Sequence, residues 1–585
     1  MPEKKILTGY PSIDKPWLKY YTAKDLAIKV PQSTVFQNIY ENNKEYQEYI
    51  ALLYYGNKIR YRSLFDRVEI CARALRQIGI RPGDCVNLCT AGVPEAIYIV
   101  LACSRIGAIA NFINPLFTRD QMIDRINDTE AKWIFILDAM YSYIKAALPQ
   151  TCIENVVIIP ATNSIPPLFS KLMYLRSAAK MISQQGNGRQ SFLTWNEFCA
   201  FSQLFSGNPD VLYQPDTPMV MVYSSGSTGA SKGIQLTNDG INAMIANYGV
   251  SSMQFKRGDS FLQMIPVWFS TGIVYSILMP LAKGFVVIPE PKFSKESFLK
   301  DLKKYKPSIT LTATSLWIHI VNSGKSIDLS NMKYPITGGE KILPQDDSRI
   351  NAYFRKCGCR RKFYKGYGMC ELGSEITGTT DAENYHDKQG GCGYPILGVT
   401  VSAFDISTGK ELPYGHHGEL RVISPARMKG YYKNPSATAE FFKTDENGNI
   451  WGCTGDIGYV DEDGEVFVLG RATDHFCRDN GEIVYLFDIE EEIFREETVN
   501  QCKVVNVNTS SGNALVAHIV FRQTNINTEL SLSRIHKHLQ ESLPDYMVPD
   551  YYKVRSSMPV HSNGKRDVAS LREDRMNLIP ANVLR

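Results

Sequence analysis

Apolar positions recur at helical spacing from Ser63 to Ile80 and again from Gln121 to Asp128, whereas Cys85 to Cys89, Trp133 to Leu137 and Val156 to Ile159 are short, continuous apolar runs. Helical and strand signals therefore alternate. That order predicts parallel strands joined by crossover helices, an α/β class. Between Pro160 and Arg189 the alternation lapses into a Pro pair, the apolar and basic stretch LFSKLMYLRSAAKMI, and QQGNGRQ, which reads as a surface insertion. From Glu383 onward short strands separated by Gly turns predict a smaller β-rich unit. Beyond Arg471 a compact βα pattern returns. The expected organisation is a large N-terminal domain of α/β subdomains with a small β-rich subdomain, residues 1–470, followed by a small, mobile α+β C-terminal domain, residues 471–585. No internal repeat shows at periods of roughly 20 to 50 residues.

Composition narrows the class. At 585 residues the chain is several times the length of a typical domain unit of roughly 150 residues. Its 64 basic and 60 acidic residues give a net charge of +4, and with a pI of about 8.2 and no basic run a nucleic-acid binder is not expected. Thirteen cysteines, scattered and odd in number, read as reduced thiols, and the pair Cys357 and Cys359 lacks the second Cys/His pair of a zinc site. The N-terminus has no apolar run of signal-peptide type, and Pro280 and Lys283 interrupt the most apolar window, Phe269 to Pro289. A cytoplasmic protein without a transmembrane segment is expected.

The most informative segment is MVYSSGSTGASKGIQLT, Met221 to Thr237. An apolar strand start leads into Ser224, Ser225, Gly226, Ser227, Thr228 and Gly229, with Lys232 close behind. Glycines let backbone N–H groups turn inward on an anion, hydroxyls add donors, and a lysine supplies a point charge, so the loop is suited to phosphates. It is not the usual P-loop, because Ser231 precedes the lysine and Gly233 follows it.

This loop resembles the signature of the adenylate-forming superfamily of acyl-CoA synthetases, peptide-synthetase adenylation domains and luciferases. Further motifs of that family occur in its order: TGGE (Thr337 to Glu340), GYGMCE (Gly366 to Glu371), GEL (Gly418 to Leu420), KGYYKNP (Lys429 to Pro435), TGD (Thr454 to Asp456), GRATD (Gly470 to Asp474) and NGKRD (Asn563 to Asp567). The resemblance extends upstream and spares only the N-terminal arm. It implies ATP, Mg²⁺ and CoA, or the phosphopantetheine of an acyl-carrier protein, as cofactors and partners. It also implies two steps, a carboxylic acid with ATP giving acyl-AMP and pyrophosphate, then a thiol giving a thioester and AMP. By the same resemblance Glu371 would bind Mg²⁺, Tyr367 would pack near adenine, and Gly339 with Glu340 would border the base. Gly366, Gly368, Met369 and Cys370 complete that stretch. Asp456 would accept the ribose hydroxyls beside Arg471. Thr228 and Lys565 would act in catalysis, Lys565 by contacting the substrate carboxylate and the transferring phosphate, a crowded set of oxyanions.

The resemblance places a hinge at Thr473 and Asp474, with Thr473 departing from the family's Asp or Lys, and sets Gly481 where a pantetheine arm would pass. Phe269 stands where amino-acid-activating relatives carry an Asp, which disfavours an α-amino acid, since a buried ammonium would lack its counter-charge. Trp268, Phe269, Thr271, Thr312, Ala313, Gly338 and Met369 are candidate walls for an apolar acyl or aryl group. A medium or long fatty acid is the leading expectation. The rivals are an acyl-AMP ligase loading a carrier protein and a non-catalytic nucleotide-binding protein, the latter suggested by Cys370, which replaces a Thr, and by Thr473.

Overall fold

The computed structural model describes residues 7–166, 190–224, 231–250, 253–292, 294–340, 342, 344–477, 483–509, 512–523, 526–559 and 567–584. The segment read as a surface insertion lies outside them from residue 167 to residue 189.

The alternation in the sequence becomes two large sheets. In the first the strands run in the order Gly430–Tyr431, Gly233–Thr237, Pro218–Tyr223, Ile109–Phe112, Cys85–Cys89, Trp133–Leu137, Asn155–Ile159 and Ser191–Thr194. Its inner pairs are parallel, and only the two strands after Pro218–Tyr223 are antiparallel. Cys85–Cys89 is buried at every position, because a parallel strand covered on both faces needs no polar side. The second sheet runs from Tyr394–Pro395 through Thr377–Gly378, Tyr364–Tyr367, Tyr334–Gly338, Ile309–Thr312, Ser260–Gln263 and Val286–Pro289 to Ile50–Tyr54 and Asn57–Arg60.

Helices follow the predicted spacing. Tyr61–Gln77 buries Leu64, Phe65, Val68, Ala72 and Leu75 on one face and stops just before Gly79, which adopts φ +91°. Arg119–Asn127 starts at a capping box in which Thr118 and Gln121 satisfy each other's backbone N–H. One hydrophobic core draws Leu88, Phe112 and Val220 from the first sheet and Leu52, Phe261, Ile309 and Ile336 from the second. The β-rich unit is a smaller antiparallel sheet, Thr400–Phe404, Gly418–Ile423, Ile450–Val460 and Phe442–Thr444, with Val466–Arg471 paired on Ile450–Val460. Val401, Leu420 and Val460 tie it into the same core.

After Arg471 the chain forms a hairpin, His475–Cys477 with Ile483–Tyr485, and a sheet of Val499–Thr509, Gly512–Phe521, Tyr551–Val554 and Ile579–Pro580 with helices Leu486–Phe494 and Thr528–Ser542. Its apolar clusters draw only on residues from Val484 onward. Among its contacts with the body, Arg522 reaches Asp346 (3.3 Å) and Gln345 (3.0 Å) on the helix Pro344–Lys356, and Gln345 donates to the Phe494 carbonyl (3.3 Å). Cys357 and Cys359 are buried free thiols, and among the described residues no helix is long and apolar enough to cross a membrane.

Candidate active site

The strand Pro218–Tyr223 ends at Ser224, and three hydrogen bonds close the neck of the loop that follows. Ser224 N–H donates to the Lys232 carbonyl (3.0 Å), Lys232 N–H donates to Ser224 Oγ (3.1 Å), and the Ser231 hydroxyl donates to the Ser224 carbonyl (2.7 Å). Ser225, Gly226, Ser227, Thr228 and Gly229 lie outside the described residues, but the stem that presents them is an antiparallel strand pair, Tyr223 opposite Gly233. A third strand joins that stem, with Tyr431 opposite Ile234. Tyr431 makes the KGYYKNP motif intelligible. Lys232 Nζ sits 5.0 Å from its ring centroid, and its hydroxyl donates to Glu371 Oε1 (3.1 Å). Burial, and then the Glu371 carboxylate, push the Tyr431 hydroxyl above its usual range, so it stays a donor. Met428 N–H closes on the Glu371 carbonyl (2.8 Å). The ring thus holds a lysine and a carboxylate on either side of itself. That spacing sets the Lys232 ammonium and the Glu371 carboxylate at one aromatic ring. Glu371 is 8% exposed, and a hard carboxylate so placed fits a Mg²⁺ ligand.

A second cluster adjoins the first through the short loop Gly366 to Glu371. The Tyr367 hydroxyl donates to Asp456 Oδ2 (2.6 Å), and Arg471 Nε lies 3.0 Å from Asp456 Oδ1. The sheet sets this pair, because Asp456 and Arg471 stand opposite each other on antiparallel strands. Thr454 supports both, its hydroxyl oxygen accepting Asp456 N–H (3.0 Å) and its carbonyl accepting Arg471 Nη1 (3.1 Å). Burial first, and Asp456 second, raise the Tyr367 hydroxyl well above its ordinary range. A buried carboxylate edged by a tyrosine and a half-exposed guanidinium is a ready acceptor for a vicinal diol.

Gly338 lies beside Gly366 in parallel register, and Gly339 follows at φ +81°. Glu340 turns outward, accepting the backbone N–H (3.2 Å) and hydroxyl (3.3 Å) of Ser315 in the first turn of the helix Thr314–Asn322. The candidate walls fall nearby. Trp268, Tyr367, Met369 and Cys370 all pack, partly buried, against the same core, and the Trp268 and Phe269 rings stand 6.4 Å apart. Thr271 opens a π-helical segment, Thr271–Leu278, in which the Ser276 hydroxyl reaches back to the Thr271 carbonyl (2.8 Å). The wall is more polar than its composition suggests. Trp268 Nε1, Ser270 Oγ and Thr312 Oγ1 are buried without a hydrogen-bond partner among the described residues.

At the junction of body and C-terminal unit, Ala472 N–H bonds the Gly455 carbonyl (2.8 Å), whereas Asp474 is held from the other side by Lys503 (2.7 Å), itself bound to Glu490 (3.1 Å). Thr473 sits between these two anchorages. Gly481 and Lys565 lie outside the described residues. Sequence reasoning missed Tyr431, Thr454 and Ser315; for Tyr431 the only signal was its place inside a quoted motif.

The family model described as AMP-binding enzyme matches residues 39–432, and that of the AMP-binding enzyme C-terminal domain matches residues 488–565. A long-chain-fatty-acid–CoA ligase of Bacillus subtilis (strain 168) is 24% identical over 561 residues, covering 94% of this chain and 96% of the relative. The 4-coumarate–CoA ligase 2 of Nicotiana tabacum is 28% identical over 448 residues, covering 74% of each. In fold, ATP-bound MatB from Rhodopseudomonas palustris superposes with a TM-score of 0.76 at 23% identity, covering 92% of this chain and 98% of that one. The large α/β body, the β-rich unit and the small C-terminal unit are the architecture of those enzymes, and with the family model spanning most of the body, the chain belongs to the AMP-binding enzyme family.

Proposed function

We propose that this AMP-forming acid–thiol ligase activates a medium or long fatty acid and transfers it to CoA. The observation that carries the reading is the chain Tyr367–Asp456–Arg471 set beside the Lys232–Tyr431–Glu371 cluster, which joins a diol-binding carboxylate to a phosphate-binding lysine. In the first half-reaction an oxygen of the acid attacks the α-phosphorus of ATP, the bond to pyrophosphate breaks, and acyl-AMP forms. Asp456 and Arg471 hold the ribose, Tyr367 flanks the base beside Gly339, and Lys232 with residues 224–229 holds the phosphates. Glu371 would hold Mg²⁺, which when bound offsets phosphate charge. Lys565 supplies a positive charge at the transferring group. In the second half-reaction the CoA sulfur attacks the acyl carbonyl and AMP leaves, with the pantetheine arm passing Gly481. We place the domain boundary at 470/471 and the hinge at Thr473 and Asp474, so that the C-terminal domain serves each half-reaction in its own pose.

The fatty-acid reading is supported by the apolar bodies of Trp268, Phe269 and Met369 and by the name of the Bacillus relative. Mass spectrometry of the purified protein with ATP, Mg²⁺ and a panel of carboxylic acids, with and without CoA, tests it: an acyl-CoA of one acid class is expected, and no acyl-AMP with any acid would overturn it. Lys565→Ala should abolish acyl-AMP formation yet spare thioester synthesis from supplied acyl-AMP. Equal loss of both half-reactions would count against the two-pose scheme.

A further inference from the structure

The second large sheet gathers positive charge at one edge. Its strands Ile50–Tyr54, Val286–Pro289, Ser260–Gln263, Ile309–Thr312, Tyr334–Gly338 and Tyr364–Tyr367 are parallel neighbours, so the segments that lead into them share one edge, while Gly338 and Tyr367 of the candidate site end two strands at the other. Lys256 and Arg257 lead into Ser260–Gln263, Lys283 into Val286–Pro289, and Lys303, Lys304 and Lys306 into Ile309–Thr312. Lys333 leads into Tyr334–Gly338, and Arg355, Lys356, Arg360, Arg361 and Lys362 into Tyr364–Tyr367. Against these twelve cations, segments 256–259, 283–285, 303–308, 328–333 and 355–363 hold two acids, Asp259 and Asp328. They carry a charge of +10 in a chain whose total is +4, which leaves the remainder acidic.

Backbone hydrogen bonds tie these segments into one surface. Gly258 N–H donates to the Gly284 carbonyl (2.9 Å), Ser308 N–H to that of Ser260 (3.0 Å), Lys333 N–H to that of Ser308 (2.7 Å) and Leu329 N–H to that of Cys357 (2.8 Å). Among the described residues three of the cations are answered by an acid: Lys306 by Asp328 (2.8 Å), Lys333 by Asp259 (2.5 Å) and Arg361 by Asp381 (2.5 Å). Helix C-termini favour cations, which accounts for Lys303, Lys304, Arg355 and Lys356 in the last turns of Lys295–Tyr305 and Pro344–Lys356. It does not account for Lys256, Arg360 and Lys362, which are exposed in loops and form no ion pair among the described residues. Where the edge reaches Ile50–Tyr54, Arg257 stacks over the Tyr46 ring (3.9 Å), lies 5.9 Å from that of Tyr49 and donates to the Asn42 carbonyl (2.7 Å). Both tyrosines are exposed, at 45% and 47%. An open groove of about 670 Å³ adjoins them, lined by Lys29, Arg257 and Lys283 with Asn38, Asn42 and Gln254, and by no acid among the described residues.

We propose that this edge docks the protein on an anionic phospholipid bilayer, with the groove lined by Lys29, Arg257 and Lys283 receiving a lipid phosphate and Tyr46 and Tyr49 lying at headgroup depth. Clustered lysines and arginines are drawn to an anionic leaflet, each adding a similar increment, and a tyrosine suits the interface because its ring is apolar and its hydroxyl wet. Docking here leaves the opposite edge, where Gly338 and Tyr367 stand, free for nucleotide and acid. A nucleic acid would meet the same charge. The exposed tyrosines favour the bilayer, and so does the fatty acid proposed above, which dissolves in one. Vesicle binding needs no turnover, so this proposal and the acid-activation reading can each fail without the other.

The test floats the full-length protein with vesicles of phosphatidylcholine alone and of phosphatidylcholine mixed with phosphatidylserine. Binding to the mixed vesicles only is expected, and it should fall as salt is raised, because charges at a surface are screened. Lys256→Gln, Arg360→Gln and Lys362→Gln combined should weaken that binding about 100-fold, at about fivefold per cation, with the melting temperature unchanged. Lys145→Gln, Lys410→Gln and Lys443→Gln combined remove the same charge from exposed positions outside the second sheet and should bind as the wild type does. Equal binding to both kinds of vesicle, binding that survives the first triple variant, or an equal loss in the second overturns the proposal. So does tighter retention of duplex DNA or RNA than of vesicles at the same salt, or self-association without vesicles that the first variant abolishes.

Discussion

Asp456 shows how much one side chain can be asked to do. It accepts from Tyr367, pairs with Arg471, and is fixed by Thr454, all at 6% exposure. Charge-assisted hydrogen bonds of this kind are each worth about 1.5 to 3 kcal/mol. Asp456→Ala should therefore raise the KM of ATP by about 10- to 100-fold while leaving the KM of the acid near its wild-type value. Titration of ATP at saturating acid checks this, and unaltered ATP affinity would remove Asp456 from the nucleotide site. The motif TGD singled out Asp456 from the sequence, whereas Tyr431 gained a role only once its hydroxyl was seen on Glu371 and its ring beside Lys232. An aromatic residue within an apolar and basic run carries no sign of which charges will flank it.

At the scale of elements, the β-rich unit is joined to the second large sheet by a buried acid. Glu465, just before the strand Val466–Arg471, accepts the Gly393 N–H (2.8 Å) and the Tyr385 hydroxyl (3.4 Å), with Asp387 and Lys365 as its charged neighbours. Burial raises its carboxyl from the ordinary 4.5 to about 7. Because the folded-state value is the higher one, the folded protein holds this proton more tightly than the unfolded chain. The contribution is complete below about pH 4.5 and is lost as pH rises through about 7, amounting to about 3 kcal/mol. Glu465→Gln, which keeps an acceptor for Gly393 and never ionises, should flatten that loss. Urea unfolding of both proteins at about pH 5 and about pH 8 measures it, and a stability difference that does not change with pH would refute the assignment. The elements themselves were largely readable. The strands Cys85–Cys89 and Trp133–Leu137 fall on the apolar runs, and the helix read from Ser63 to Ile80 forms as Tyr61–Gln77, ended by the turn at Gly79. Which strands would be neighbours was not readable, since Ile50–Tyr54 adds to the sheet beside Val286–Pro289 from far away in the chain.

For the whole molecule, body and C-terminal unit meet where the buried Phe487 ring lies against Gly470 and at a polar patch. Arg522 on Asp346 and Gln345, together with Gln345 on the Phe494 carbonyl, forms a polar patch that can be released without exposing a core. On the two-pose scheme this patch biases which half-reaction the enzyme is arranged for. A partly exposed pair is worth about 1 kcal/mol, so Arg522→Ala should shift the balance of poses about fivefold. The expected result is opposite changes in the single-turnover rates of acyl-AMP formation and thioester formation, with the melting temperature unchanged. Parallel changes in both rates would mean that the patch does not set the pose. The Lys503 clasp on Asp474 complements it, since it binds the residue after Thr473 to the C-terminal unit while Ala472 stays with the body.

The sequence alone determined the α/β class, the order of the family motifs and the choice of Asp456, Arg471, Tyr367, Glu371 and Lys232 as candidate site residues, because these depend on local periodicity and on short strings whose chemistry is legible residue by residue. Tertiary structure decided the rest. Tyr367 and Asp456 are 89 positions apart and become a hydrogen-bonded pair only because two sheets bring them together. Glu375 looks in sequence like any surface acid. Its meaning comes from being buried against Gly366 and Gly378, and burial is a sum over contacts from distant segments that no local pattern contains.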